Sequence, residues 1–220
     1  MIKNEATLRD ELVRVTRILA ERGLIRSSDG NVSARLDEKL LLITPSGMYK
    51  IAMSPEDLMV VDLDGRVRQT RGGLRATTEL LMHLEVYRQR PDVNAVIHAH
   101  PPFSTALTIA GKPFPEEYIP EVLVALGEVP TAGYATPGTQ GLADSIHELI
   151  LTHESILLSH HGSLNVGRTL EEALIAIERM EHAAYTLWIS QSFGAAIPLP
   201  PAELENLRRI GGHSREKNLG

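Results

Sequence analysis

One apolar segment that ends in two histidines constrains this chain more than any other feature. The stretch from Ala95 to His100 has β-branched residues in its middle and is followed by Pro101-Pro102, which predicts a buried strand that stops at the prolines. Successive strand side chains point to opposite faces, so His98 and His100 share a face. Two imidazoles at one strand end can bind one metal ion. Taken alone, the segment also fits two polar residues at the mouth of a loop.

A second pair of histidines follows another apolar segment. Residues 156–159 predict a buried strand, and His160-His161-Gly162 come directly after it. This pair by itself also fits a solvated turn, but strand ends at one edge are where open α/β sheets place their sites. Three imidazoles and one carboxylate suit a tetrahedral Zn²⁺ site. Nitrogen ligands favour zinc over magnesium, and Mn²⁺, Fe²⁺ and Co²⁺ stay open as alternatives.

The candidate carboxylate lies at the start of a predicted helix over residues 79–90. Glu79 follows Thr77-Thr78, and a glutamate that interacts with the helix dipole is the structural alternative for it. The unpaired N–H groups and two hydroxyls at this helix start also form a natural anion site. The loops at Gly30-Asn31 and Ser46-Gly47 offer further donors, although both dipeptides are common in ordinary turns.

Composition excludes several classes of protein. The 220 residues carry a net charge of −6 without a long basic run, so we expect no nucleic-acid partner. The chain has no cysteine, so a transition-metal site must use His, Asp and Glu. The first residues are charged rather than apolar, and no run is long enough to span a bilayer. We therefore expect a cytoplasmic protein that does not associate with a membrane.

Hydrophobic periodicity predicts a mixture of helices and strands without an internal repeat. We interpret residues 1–220 as one α/β domain, with 200–220 as a polar, partly mobile tail. The apolar segment 122–126 is too short to assign to either class. The predicted helices cover 5–22, 79–90, 104–110, 138–151 and the stretch that begins after Thr169, and the predicted strands cover 31–36, 40–44, 58–62, 95–100, 130–134 and 156–159.

Several motifs taken together resemble the class II aldolase/adducin family, from about residue 7 to about residue 195. The resemblance implies a three-layer fold with a central, largely antiparallel sheet flanked by helices. The motifs are Gly30-Asn31-Val32-Ser33, Ile43-Thr44-Pro45-Ser46-Gly47, Thr77-Thr78-Glu79, the stretch from Arg90-Pro91-Asp92 to His98-Ala99-His100, and His161-Gly162.

The same resemblance implies roles for individual residues. His98, His100 and His161 would bind one Zn²⁺ per subunit, and Glu79 would transfer the proton and add a metal ligand. Tyr118 would donate a proton to the aldehyde oxygen across a subunit interface of a homotetramer. The implied phosphate-binding residues are Gly30, Asn31, Ser46, Gly47, Thr77 and Thr78.

The implied reaction is metal-dependent carbon–carbon bond cleavage. A ketose 1-phosphate would be split by retro-aldol chemistry into dihydroxyacetone phosphate and an aldehyde. The family also contains decarboxylases, dehydratases and epimerases, and a sugar-acid phosphate decarboxylase is the main alternative. An adducin-like scaffold without catalysis is a further alternative, which the complete set of three histidines and Glu79 disfavours.

Overall fold

The computed structural model describes residues 4–218, with the side chains described as far as Gly211. Within these residues eight strands form one sheet in the order β4-β3-β2-β1-β5-β8-β7-β6. Neighbouring strands are antiparallel except for the last two in this order, which are parallel. The strands are β1 (Asn31–Arg35), β2 (Leu40–Ile43), β3 (Met59–Asp62), β4 (Val67–Gln69), β5 (Ala95–Ala99), β6 (Thr131–Ala132), β7 (Ser155–Leu158) and β8 (Gly162–Gly167).

Helices cover both faces of the sheet, which gives the three layers that the family resemblance implies. One apolar core lies between the sheet and α1, α4 and α6, and the other lies between the sheet and α2 and α5. None of the described helices is both long and apolar enough to cross a membrane. The helices are α1 (Glu5–Glu21), α2 (Leu80–Gln89), α3 (Pro102–Ile109), α4 (Pro120–Leu126), α5 (Gln140–Ile146), α6 (Leu170–Ser190) and α7 (Pro201–Asn218).

Strand β5 lies near the middle of the sheet and is buried on both faces. Ala95, Ile97 and Ala99 join the core beneath α1 and α6, whereas Val96 joins the core beneath α2. Since side chains alternate along a strand, His98 faces α2, as Val96 does. The central position of β5 therefore places an imidazole inside the protein, on the α2 side of the sheet.

Most predicted elements are confirmed, and two are shorter than the sequence suggested. The helix expected over 138–151 stops at Ile146, and a separate 3-10 turn follows at Leu149–Leu151. The strand expected over 130–134 consists of Thr131–Ala132 only. The unassigned segment 122–126 belongs to α4, which has Pro120 at its first position and ends at Gly127, with a positive φ of 65°.

The segment expected to be a polar tail forms helix α7. This helix packs on α4, and Leu204 is buried. Gly211 lies so close to α4 that an added Cβ would be 2.7 Å from the Val124 carbonyl oxygen. Periodicity did not reveal this helix because only a narrow part of its surface is apolar. Residues 219–220 of the predicted tail lie outside the described residues.

Candidate metal centre and adjoining anion site

The strand order brings the two histidine motifs to the same edge of the sheet. Strand β8 runs antiparallel to β5, with Ala99 opposite Ser163, and antiparallel to β7. Strands β5 and β7 therefore point the same way with β8 between them. The turn that joins β7 to β8 contains His161, so this turn lies beside the end of β5. Both strands therefore end at one edge of the sheet, as expected, because each of them is antiparallel to β8.

Three of the predicted ligands converge on one point. One nitrogen from each of His98, His100 and His161 lies within 4.8 Å of the other two. The Nε2 atoms of His98 and His100 are 3.0 Å apart. His98 is completely buried, and the other two rings are partly buried. His160, the preceding residue, is exposed, with a positive φ of 55°. The structure thus joins His161, and not His160, to the His98–His100 pair.

Gly162 makes this approach sterically possible. A Cβ at this position would lie 2.2 Å from the Ala99 carbonyl oxygen and 2.8 Å from Cδ2 of His100. Real Cβ atoms do not come so close to backbone, so a larger residue would push β8 away from β5. Glycine is therefore required after His161, because the turn that contains His161 packs directly against the end of β5.

Glu79 completes the cluster from the α2 side. Its Oε2 atom is 3.0 Å from Nε2 of His98, and its Oε1 atom is 3.3 Å from Nε2 of His161. Asn31 donates a hydrogen bond of 2.9 Å from Nδ2 to Oε2. The Thr77 hydroxyl accepts a 3.3 Å hydrogen bond from the Glu79 backbone N–H, just before α2 begins. Glu79 is 7% exposed, so its carboxylate belongs to the interior of the site.

The electrostatics favour an ionised carboxylate at the centre of this cluster. Burial would raise the pKa of Glu79, but the hydrogen bonds from His98 and Asn31, together with the charges that His98 and His161 carry when they are protonated, outweigh it and hold the pKa well below its usual range. Burial is also the largest cause that lowers the pKa of His100 and of His161, each to about 4. At neutral pH His100 and His161 are therefore unprotonated, as metal ligation requires.

The donor set fits a divalent metal ion. The Nδ1 atom of His98 lies 2.9 Å from the Ser163 carbonyl oxygen, so it carries the proton and leaves the Nε2 lone pair to face the cluster. Oε1 of Glu79 is buried without a hydrogen-bond partner. Lone pairs of the histidines and of Glu79 therefore converge at this point, and a cation would satisfy them.

The second predicted loop adjoins the start of α2. Pro45 forms an isolated bridge with Ala76, and the Ser46 backbone N–H donates a 2.9 Å hydrogen bond to the Arg75 carbonyl. These contacts place Ser46 and Gly47 next to the segment that contains Thr77 and Thr78. Ser46, Gly47 and Thr78 are exposed, whereas Thr77 is buried. The hydroxyls of Ser46 and Thr78 thus face solvent near the start of α2.

The Gly30-Asn31 loop adjoins the histidines instead. Asn31 is paired with His98 across β1 and β5. Gly30 has a positive φ of 68°, and an added Cβ would be 2.5 Å from Ile25 Cγ2 and 2.9 Å from the His98 carbonyl oxygen. Only glycine tolerates both the backbone conformation and the close approach. This loop therefore brings the Asn31 amide to Glu79.

Tyr118 lies apart from this arrangement. It ends the 3-10 turn Glu116–Tyr118 before α4 and is partly exposed. No hydrogen bond or ring contact links it to the three histidines within the described residues. Its role at a neighbouring subunit's site stays a prediction.

Three buried residues near Glu79 received no role from the sequence. They are Ser33, His83 and Tyr87, and they connect to Asn31 by hydrogen bonds. A signal was present, because Glu79, His83 and Tyr87 follow one another at intervals of four, which places them on one side of a helix. Polar residues in such a row on a buried helix face need partners, and this requirement points to a network.

Comparison with known sequences agrees with this geometry. Residues 10–188 match the family described as Class II Aldolase and Adducin N-terminal domain. The chain therefore belongs to the class II aldolase/adducin family.

Three individual relatives are enzymes that act on phosphorylated substrates, but they do not all catalyse the same reaction. A 5-deoxy-D-ribulose 1-phosphate aldolase from Bacillus thuringiensis serovar kurstaki is 32% identical over 211 residues, which are 94% of this chain and 97% of that protein. A 3-oxo-tetronate 4-phosphate decarboxylase from Escherichia coli K12 is 32% identical over 191 residues, which are 85% of this chain and 89% of that protein. The structure of an L-fuculose 1-phosphate aldolase superposes with a TM-score of 0.83 at 30% identity and covers 92% of this chain and 95% of that one. Both aldolases and a decarboxylase are thus similar to this chain over most of its length.

Proposed function

We propose that this protein is a metal-dependent lyase that cleaves a ketose 1-phosphate into dihydroxyacetone phosphate and an aldehyde. The observation that carries the proposal is the ionised Glu79 carboxylate directly beside the cluster of His98, His100 and His161. One Zn²⁺ per subunit suits this set of nitrogen ligands best. The aldolase relatives supply further support, because both act on sugar phosphates by name.

The chemistry can be assigned to groups of this chain. A divalent ion at the histidines would supply Lewis acidity toward the oxygen atoms of the substrate. In the cleavage direction the C3–C4 bond breaks and its electron pair stays on C3, while the C4 hydroxyl releases its proton to solvent as the aldehyde forms. Glu79 takes up a proton from solvent and delivers it to C3, and it removes this proton in the reverse direction. Its ionised state at neutral pH makes it a competent base for the reverse direction.

The proposed phosphate site is the start of α2 with its two neighbouring loops. Thr78 and Ser46 offer exposed hydroxyls there, and the free N–H groups at a helix start favour an anion. The other predicted contacts come from Gly30, Asn31, Gly47 and Thr77. A phosphate held there would orient the reacting carbons toward Glu79, and this orientation lowers the barrier.

A panel of ketose 1-phosphates tests the proposal. The purified, metal-loaded protein should release dihydroxyacetone phosphate from at least one member, as detected by a coupled reduction. The corresponding unphosphorylated ketose should react far more slowly, and chelation should abolish the reaction. A fully active enzyme without metal by elemental analysis would contradict the proposal.

A decarboxylase is the second candidate, and the E. coli relative supports it. The same metal site can stabilise the negative charge that develops when carbon dioxide leaves, so the site alone does not separate the two reactions. A phosphorylated 3-oxo acid belongs in the panel for this reason. Release of carbon dioxide without any dihydroxyacetone phosphate would favour decarboxylation.

We propose in addition that the active form is a homotetramer in which Tyr118 reaches a neighbour's site. Tyr118 is partly exposed and has no partner in the cluster of its own chain within the described residues, as such a role requires. Tyr118→Phe should lower turnover while the bound metal stays unchanged. Light scattering that finds an active monomer would contradict the shared site.

A further inference from the structure

A row of buried polar side chains leads from Glu79 into the interior between β1 and α2. Asn31 and Ser33 lie two residues apart on β1, and Glu79, His83 and Tyr87 follow at intervals of four along α2. Two strand residues span about 6.6 Å and four helix residues about 6 Å, so the side chains of the β1 row and of the α2 row have nearly the same spacing. This match allows each side chain to contact the next.

The row is continuous and almost completely buried. Ser33 and His83 are 0% exposed, Tyr87 2%, Asn31 3% and Glu79 7%. The distances are 2.9 Å from Glu79 Oε2 to Asn31 Nδ2, 2.5 Å from Asn31 Oδ1 to His83 Nε2, 2.6 Å from His83 Nδ1 to Ser33 Oγ, and 3.0 Å from Ser33 Oγ to the Tyr87 hydroxyl.

The chemistry of the groups fixes the direction of every hydrogen bond. An ionised carboxylate only accepts, so Asn31 donates to Glu79 and its amide oxygen accepts from His83. His83 must therefore carry its proton on Nε2. If the ring is neutral, Nδ1 accepts from the Ser33 hydroxyl, and the Ser33 oxygen in turn accepts from Tyr87. One arrangement of protons thus satisfies the whole row.

The surroundings keep His83 neutral. His83 is completely buried and its hydrogen-bond partners Ser33 and Asn31 are uncharged, so the neutral ring is favoured, and burial lowers its pKa to about 3. A neutral ring has two tautomers, and Ser33 and Tyr87 select the one that can donate to Asn31. Within the described residues the side chains of Ser33, His83 and Tyr87 make no hydrogen bond to Glu79 or to the three clustered histidines, so they reach the Glu79 carboxylate through Asn31.

We propose that His83 is a positioning residue which, through Asn31, holds Oε2 of Glu79 and so presents Oε1 for proton transfer. Oε1 is the carboxylate oxygen without a hydrogen-bond partner. The terminal torsion of a glutamate is broad, and without the Asn31 bond the two oxygens could exchange places. The kinetic part of this inference rests on the proposed function, whereas the tautomer part does not.

The tautomer can be measured directly on the metal-loaded, full-length protein. With ¹⁵N-labelled histidine, the signals of His83 are identified by their loss in His83→Gln. We expect a protonated Nε2 and an unprotonated Nδ1 throughout pH 6–8, and loss of this preference in Asn31→Ala. A protonated Nδ1 in the wild type would overturn the proposed row, whatever reaction the enzyme catalyses.

Kinetics then test positioning, with the substrate that the wild type turns over. His83→Met removes the donor and should lower kcat about 10–100-fold, as losses of such outer contacts typically do, while KM and metal content change little. His83→Gln can still donate near the Nε2 position and should recover most of the loss. Met82→Leu, a buried neighbour without a polar contact, serves as the matched control.

Milder variants keep the test decisive if His83→Met does not fold. Ser33→Ala should lower kcat more than Tyr87→Phe, because Ser33 contacts His83 directly and Tyr87 only through Ser33. Equal losses, the reverse order, or a normal kcat in folded His83→Met would overturn the positioning role. Failure of the retro-aldol reaction with the expected tautomer present would instead count against the proposed function alone.

Discussion

The two halves of the candidate site differ in how firmly the fold holds them. The metal half consists of Glu79, His98, His100 and His161, and the anion half consists of Ser46, Gly47 and Thr78. In the metal half Glu79 and His98 are at most 7% exposed, and hydrogen bonds orient both side chains. The residues of the anion half are exposed, and their contacts are those of the backbone at Pro45 and Ser46.

This difference suggests that the metal half performs the chemical step and that the anion half determines which substrate is bound. A buried, hydrogen-bonded cluster cannot change without loss of several interactions at once, so it suits the step that related enzymes share. Exposed loops can exchange side chains at little cost in stability. The relatives fit this division, since two proteins that are each 32% identical to this chain are named for different substrates and reactions.

The largest effect should come from His100→Ala in the metal half. Removal of one of three converging imidazoles should release most of the metal and abolish turnover. His160→Asn is the matched control, because His160 is adjacent in sequence to the cluster but exposed, and asparagine tolerates its positive φ. Elemental analysis of both proteins measures the effect. Equal metal content in the two variants would remove His100 from the ligand set.

Glu79→Gln should stop proton transfer but retain the metal. The amide keeps the shape of the carboxylate but not its basicity, and loss of a general base typically costs a factor of 10²–10⁴. Glu85→Gln, farther along α2, is the control and should be nearly normal. The rate of exchange of the carbon-bound proton of dihydroxyacetone phosphate with deuterated water isolates this step. Normal exchange in metal-loaded Glu79→Gln would assign the base to another residue.

Thr78→Val should affect binding more than chemistry, since Thr78 belongs to the anion half. The exposed hydroxyl is lost at nearly constant volume, so stability should change little. We expect KM for the phosphorylated substrate to rise by a factor that corresponds to a loss of about 1.5–3 kcal/mol of binding free energy, the usual value of one charge-assisted hydrogen bond. The unphosphorylated ketose is the control substrate. A similar rise in KM for both substrates would mean that Thr78 does not contact the phosphate.

The smallest effect concerns a surface pair that ties α2 to α5. His147 Nδ1 lies 2.6 Å from Glu85 Oε1, and this hydrogen bond is the main cause that raises the pKa of His147 above its usual 6.5. Since the folded pKa is the higher one, the pair stabilises the protein fully below pH 6.5 and loses this contribution as the pH rises through the folded pKa.

Melting temperatures can measure this small effect. The wild type should exceed His147→Gln slightly at pH 6, and the two should converge at pH 8. His182→Gln, on the exposed side of α6, is the control. Turnover at pH 8 should be equal in all three proteins, because the interior contacts of Glu79 do not depend on this pair. A larger difference in melting temperature between the wild type and His147→Gln at pH 8 than at pH 6 would contradict a stabilising role of protonated His147.

Local patterns in the sequence account for much of the site. Alternation along β5 places His98 and His100 on one face, and the position of Glu79 at the start of α2 follows from the threonines before it and the periodicity after it. Both inferences depend only on residues that are close in the chain, where backbone geometry alone fixes direction. The exposed loop at Ser46-Gly47 is predictable for the same reason.

Interactions between distant residues required the tertiary structure. The close packing of Gly162 against Ala99 depends on the pairing of β8 with β5, and the amphipathic pattern of α7 is too weak to show that it packs on α4. His83 is the clearest case. Its residue type and spacing are visible in the sequence, but its partners Asn31 and Ser33 lie about fifty residues away.

Residue types and the faces they share can be read from the chain without its fold, because side-chain direction repeats every two residues in a strand and every 3.6 in a helix. These local patterns identify the histidine pair, the carboxylate at a helix start and, through their combination, the family. The family resemblance also named His161 as the third ligand, but the folded chain was needed to show that His161 lies beside this pair and that Asn31 binds the Glu79 carboxylate. The physical reason is that these contacts arise from strand order and burial, which depend on the packing of the whole sheet rather than on any local stretch of chain.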